Sequence, residues 1–315
     1  MAPESRPPVS PFLVLFFGIF AVSTSAVFVR LAQMEAAPLV VAAYRLVFAS
    51  LILLPFTWQK RAEIRQLKKD QITWLLLSGA FLAVHFAVWI TSLAYTSVAS
   101  SVVLVTTTPL WVGLLSPIFL KERLSPRIWG GLLVALLGGV LVSLAEVCSW
   151  TVNGLACSGL EGFFQGRSFL GNVLALAGAW LAAGYMLVGR KVRATLSLVS
   201  YISMVYGFAA VLLVGMALLS GEALGGFHGL TYVWLLCLAA IPQLLGHTSY
   251  NFALGYLPAV FVSIAVLAEP IGATLLAIPV LGEWPGFLEV VGGGIILMGI
   301  SLATWNGQKG KGRSE

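Results

Sequence analysis

A proline in the middle of a long apolar run, with a glutamate thirteen residues on at its end, occurs twice in this chain: Pro109 with Glu122, and Pro270 with Glu283. A constant 161 positions separates the two pairs. The same shift carries Tyr95 onto Tyr256, Leu114-Leu115 onto Leu275-Leu276, Gly131 onto Gly292 and Gly138 onto Gly299. A fixed offset over features so far apart means that the chain is two copies of one unit. Its fold must therefore be one that a duplicated half can build.

The medium of that fold follows from charge. Only 10% of the 315 residues are Asp, Glu, Lys or Arg, 59% are hydrophobic and the mean hydropathy is +0.97. Soluble domains carry about 25% charged residues, so this chain lacks the polar surface that water requires. Runs of about twenty apolar residues cross a bilayer as helices. Ten are visible: Pro11–Leu31, Pro38–Trp58, Ile72–Tyr95, Val98–Leu120, Ile128–Leu144, Phe169–Val188, Leu196–Leu219, Leu230–Leu254, Pro258–Leu281 and Gly286–Trp305. The first is too long for a signal-peptide core and has no small-residue cleavage site after it, so it reads as a span.

Basic residues set the orientation. Alternate loops hold Arg6; Lys60, Arg61, Arg65, Lys68 and Lys69; Lys121, Arg123 and Arg127; Arg190, Lys191 and Arg193; then Lys309, Lys311 and Arg313. Arg30 and Arg167 fall on the other side, and Arg45 lies inside a span. Both termini are therefore expected in the cytoplasm of a plasma (bacterial inner) membrane. The net charge of +6 is spread as topology signals rather than as a nucleic-acid-binding patch. Five spans per copy is an odd number, so the second copy is expected to be inverted, a recurrent build of secondary transporters. The expected boundaries are 11–144 for the first repeat, 145–168 for an outer connecting loop, 169–305 for the second repeat and 306–315 for a basic tail. Cys148 and Cys157 lie in the loop, where a disulfide is one of two open states.

The segments TTTPLWVGLLSPIFLKERLSPRIWGGLLVALLGGVLVSL and NFALGYLPAVFVSIAVLAEPIGATLLAIPVLGEWPGFLEVVGGGIILMGISLA resemble the EamA-type ten-helix permeases of the drug/metabolite transporter superfamily. Lys121 stands where the second copy has Gly282. The resemblance implies an all-α integral membrane protein, with ten transmembrane helices as two inverted five-helix repeats around a central cavity. It also implies export of amino acids or other metabolites, or efflux of drugs.

Chemistry-bearing residues within the spans are few. Pro109 and Pro270 are expected to break their helices and free backbone groups, which is tolerated where the backbone faces protein or a wet cavity. Glu269 lies about eleven residues, roughly 17 Å, from the nearer end of its run. A charge at that depth costs several kcal/mol, so the residue faces the bundle interior or is protonated. Either a proton or substrate site, or a neutral acid bonded to a freed carbonyl, fits that position. Gln243, His247, Tyr250 and Asn251 share a helical face, as do His85 and Trp89 on the third run. Trp111 and Trp180 are further aromatic candidates. Arg45 is close enough to one end to snorkel or to bind a carboxylate. Gly131, Ala135 and Gly139 form a small face that permits close helix contact, within the chain or in a homodimer.

The expected activity is transport of a small-molecule substrate by alternating access in membrane lipid, with a proton as a coupling-ion candidate. Drug efflux and uncoupled facilitation are the alternatives. No enzyme motif, metal-ligand spacing or cofactor fingerprint is present, so neither catalysis nor a cofactor is expected.

Overall fold

In the computed structural model, residues 7–121, 126–145, 148–151, 154–157 and 166–304 are described. Among the described residues, eight helices are long and apolar enough to cross a membrane. They are α1 (Pro11–Ala32), α2 (Pro38–Gln59), α3 (Lys69–Ser92), α4 (Val98–Phe119), α6 (Arg167–Arg193), α7 (Leu198–Leu219), α8 (Gly229–Leu254) and α9 (Ala259–Leu281). Two shorter apolar helices complete the chain order, α5 (Pro126–Leu144) and α10 (Phe287–Thr304). Large side chains such as Phe16, Phe17, Phe20, Leu137 and Leu219 point outward from the bundle. In water that surface would be unfavourable, but in hydrocarbon it costs nothing. The protein is a multi-pass membrane protein. Glu122 lies outside the described residues, as do Arg6, Arg123 and the basic tail.

The helices pair across the two halves. α5 lies along α10, α2 against α7, and α3 against α6, while α1 lies against α8. Glycine fixes the α5–α10 contact. A Cβ on Gly138 would stand 2.5 Å from the Gly292 carbonyl, and one on Gly299 would stand 2.5 Å from that of Gly131. The 161 shift exchanges these two contacts, since Gly131 corresponds to Gly292 and Gly138 to Gly299. The small face therefore serves packing within one chain.

Helix breaks lie beside the prolines rather than at them. α4 consists of Val98–Val105 and Thr108–Phe119, and α9 of Ala259–Val266 and Glu269–Leu281. Pro109 and Pro270 each stand second in the restarted helix, where the missing N–H costs nothing. The hydroxyls of Thr106, Thr107 and Thr108 donate to the carbonyls of Val102, Leu104 and Val105, which satisfies the backbone at the break. α1 is interrupted as well, at Thr24 between Pro11–Ser23 and Ser25–Ala32. Ala239–His247 of α8 is π-helical and contains Pro242.

One departure from a purely helical chain lies between the halves. Strands β1 (Cys148–Thr151) and β2 (Gly154–Cys157) form an antiparallel hairpin closed by a Cys148–Cys157 disulfide. The bond ties residues that already face one another in register.

Candidate functional site

The breaks in α1, α4 and α9 and the π turn of α8 come together around a small cavity of about 40 Å³. Both halves contribute to its wall. His85 and Trp89 come from α3, Tyr185 and Met186 from α6, His247 and Tyr250 from α8, and Glu269 from α9. Val22 and Ser25 line it from α1, and Val105, Thr106 and Thr108 from α4.

Each polar side chain is held by its surroundings. His85 Nδ1 lies 2.8 Å from the Gly178 carbonyl. A carbonyl only accepts, so Nδ1 carries the proton, and a neutral ring keeps Nε2 as an acceptor. The His85 ring stacks on Trp89 at 6.1 Å. His247 packs edge-on to Phe86 at 5.2 Å and lies against Tyr250 at 5.7 Å. Glu269 is 6% exposed and begins the second half of α9. Its backbone carbonyl accepts from Ser23 at the α1 break, 3.4 Å away, so the interruptions of α1 and α9 meet. Glu269 also lines the cavity.

Arg45 is the residue that sequence reasoning placed least well. Of the roles open to it from sequence, snorkelling does not fit, because the residue is 0% exposed within the bundle. Its Nε donates to Gln243 Oε1 at 2.8 Å, its Nη1 donates to Ser25 Oγ at 2.7 Å, and its guanidinium lies 4.1 Å above the Phe86 ring. α2 packs against α7 and α8 around it.

The predicted residues separate into three groups. His85, Trp89, His247, Tyr250 and Glu269 line the cavity. Gln243 and Asn251 stand behind that wall. Gln243 holds Arg45, while Asn251 Oδ1 accepts from Tyr185 and Asn251 Nδ2 donates to Tyr206. The separation of Gln243 from His247 follows from the π turn, in which the Thr248 N–H reaches back to the Gln243 carbonyl and the helix is underwound, whereas Asn251 simply follows Tyr250 in regular α-helix. A stripe drawn at 3.6 residues per turn does not survive that change. Trp111 and Trp180 pack on each other at 6.3 Å, away from the cavity, and Trp180 is 59% exposed. The cavity face of α6 is the one bearing Ala182, Tyr185 and Met186. Ser25 and Tyr185 were missed, because a serine and a tyrosine alone in apolar runs carry no periodic signal. Among the described residues, no group of three His, Cys, Asp or Glu side chains is placed to hold a metal ion.

Several buried polar atoms around the cavity have no hydrogen-bond partner among the described residues: Trp89 Nε1, His247 Nδ1, Tyr250 Oη, Arg45 Nη2 and Gln243 Nε2. Such atoms are expensive to leave unpaired.

One end of the bundle is clasped by charge. Arg30 Nε and Nη2 donate to Glu283 Oε1 at 3.2 and 2.6 Å, and Arg30 Nη1 donates to the Leu93 carbonyl. Glu283 Oε2 accepts the Val98 N–H, which opens α4. Four helices are thereby joined through one ion pair.

Residues 10–144 and 169–305 match the EamA-like transporter family. A protein of Archaeoglobus fulgidus described as an uncharacterized transporter is 24% identical over 281 residues, covering 89% of this chain and 92% of its own length. A solved structure described only as the crystal structure of a protein superposes with a TM-score of 0.68 at 18% identity, over 94% of this chain and 96% of that one. At that identity the likeness speaks for the fold alone.

Proposed function

The chain belongs to the EamA-like transporter family, and from that premise we propose that it is a secondary transporter exporting small organic solutes, amino acids or related metabolites, across the plasma membrane by alternating access. The observation that carries this function is the cavity between the two halves, lined within an apolar bundle by Glu269 and by Trp89, His247 and Tyr250, each of which has a buried polar atom with no partner among the described residues.

In this scheme α5 and α10 also cross the bilayer, giving ten crossings with both termini in the cytoplasm. The second five-helix unit is inverted relative to the first. Reciprocal contacts such as Gly131 with Gly299 and Gly138 with Gly292 are what a two-fold axis in the membrane plane would generate. Exchanging the conformations of the halves then moves access from one side to the other. The clasp of Arg30 with Glu283 belongs to the outer end and holds it closed. His85, Trp89, His247, Tyr250 and Glu269 contact the solute, and Glu269 exchanges a proton during the cycle. The paired breaks beside Pro109 and Pro270 are the places where α4 and α9 bend.

Purified protein in liposomes, given a pH gradient and a panel of labelled amino acids, tests the scheme. Wild type is expected to accumulate substrate against its gradient, and Glu269→Gln is expected to lose that accumulation. Equal, gradient-independent equilibration in both would make the protein a facilitator and reduce Glu269 to a structural acid.

A further inference from the structure

We propose that the exposed face of α2 and the short helix Arg61–Arg65 that follows it form a docking site for an anionic phospholipid. Its phosphate lies at Arg61 and Arg65, and its acyl chains run along Leu51, Leu54 and Trp58. The site is on the outside of the bundle and does not depend on which solute is carried.

One stripe of side chains carries the argument. Leu51, Leu54 and Trp58 are exposed, and their spacing of three and four residues puts them on one face of α2. Arg61 and Arg65 continue that spacing past Lys60, where α2 ends and the short helix begins, and both are exposed. The surface thus passes from aliphatic to aromatic to basic, the order in which a bilayer presents hydrocarbon, interface and headgroups. Trp58, 68% exposed, stands at the interface.

The basic end of the stripe is held in place from behind. On the opposite side of the short helix, Glu63 accepts from the Ser197 N–H at 2.9 Å and from the Ser197 and Ser200 hydroxyls at 2.6 and 2.7 Å. Leu67, one turn on, packs against the core. Arg61 is fixed further, because its Nη1 donates to the Trp58 carbonyl at 3.1 Å and its guanidinium lies 5.0 Å from the Trp58 ring. Among the described residues, neither Arg61 nor Arg65 is in an ion pair. Their remaining N–H groups can hold a phosphate in the planar fork that guanidinium provides.

Charge and shape together select the occupant. Residues 60–70 hold five cations, Lys60, Arg61, Arg65, Lys68 and Lys69, against the acids Glu63 and Asp70, and Glu63 is already engaged by the two serines. Such a cluster beside a membrane span favours an anionic headgroup. A soluble anion would use the arginines and leave the apolar stripe idle, whereas a lipid carries phosphate and acyl chains in one molecule and meets both. The other end of the bundle has no equivalent among the described residues. There Arg30 is paired with Glu283, and Arg167 lies 5.3 Å from the Tyr95 ring.

The test uses the full-length protein in phosphatidylcholine vesicles with a trace of chain-spin-labelled phosphatidylglycerol or phosphatidylcholine. The fraction of label immobilised by the protein gives its preference for one headgroup over the other. Wild type should prefer phosphatidylglycerol about five-fold or more, the effect of at least one basic residue at a membrane surface. The double variant Arg61→Gln, Arg65→Gln should lose most of that preference. Lys68→Gln, Lys69→Gln removes the same charge beside the stripe and should keep most of it. All four side chains are exposed, so both variants should fold, which thermal unfolding checks. No preference in wild type, or equal loss in the two double variants, would overturn the site and leave only diffuse charge. Displacement of the labelled lipid by inorganic phosphate, but not by sodium chloride of equal ionic strength, would assign the arginines to a soluble anion and overturn the lipid.

Discussion

The two halves of this transporter agree where they close the bundle and differ where they face the cavity. Near one end, Arg30 donates to the Leu93 carbonyl and Gln33 to that of Ile90. In the second copy, Arg190 donates to the Leu254 carbonyl and Arg193 to that of Asn251. The accepting carbonyls are related by the 161 shift, and the donors by one residue less. Around the cavity the correspondence is partial: Trp89 matches Tyr250 and Val105 matches Val266, all four lining it, but other positions diverge. Arg45 faces Tyr206 in the alignment, Thr108 faces Glu269, and His85 faces Gly246. α1 is broken at Thr24 whereas its counterpart α6 is continuous, and α8 has a π turn that α3 lacks. Duplication preserved the scaffold, because packing and helix-end carbonyls impose the same demand twice. The cavity wall was freer to diverge between the copies.

The agreement can be broken most severely at the α5–α10 seam. Gly299→Ala places a methyl group against the Gly131 carbonyl and the Ala135 backbone nitrogen, neither of which can rotate away. It is expected to cost about 1–3 kcal/mol, seen as a lower unfolding temperature in detergent. Gly293→Ala, in the same helix with nothing within 4 Å of the added atom, should stabilise by about 0.5–1 kcal/mol through helix propensity. Equal effects at the two positions would mean that the seam is looser than its glycines indicate.

A smaller loss is expected at the clasp. Arg30 and Glu283 are about a third exposed, at 31% and 28%, so the pair itself contributes no more than about 1 kcal/mol. In a double-mutant cycle with Arg30→Gln and Glu283→Gln, a coupling of about 0.5–1 kcal/mol is expected, measured by thermal unfolding. Additive single effects would show that each residue serves its own backbone partner, Leu93 for Arg30 and Val98 for Glu283.

The smallest effect concerns a tie between the halves. Glu63, in the short helix Arg61–Arg65, accepts from the Ser197 N–H and from the hydroxyls of Ser197 and Ser200 at the start of α7. Burial would raise its carboxyl pKa, but these hydrogen bonds outweigh burial and hold it below the ordinary value. Stability from a lowered carboxyl is present above the unfolded pKa and is lost as pH falls through the folded one. Wild type should therefore lose more thermal stability than Glu63→Gln when pH drops from about 6 to about 3. Parallel curves would remove Glu63 from the tie.

Much of the fold was legible because lipid imposes a coarse requirement: long apolar runs and an inward place for a lone Glu269. The duplication was legible for a related reason, since Pro109, Pro270 and the paired glycines answer backbone needs that recur in each copy. The cavity's membership was less so. Trp180 reads as an aromatic candidate until α6 is oriented by its neighbours, and Gln243 reads as lining until the π turn rotates it toward Arg45. Sequence by itself determined the apolar medium and the helical character of the chain, since these depend on side-chain hydropathy and on spacing along the chain. Only the tertiary structure decided that Arg45 is buried behind Ser25 and that Cys148 meets Cys157. It also brought the breaks in α1 and α9 together at Glu269. Those facts depend on the rotation and register of helices distant in sequence, which are fixed by packing and not by any periodicity within a single run.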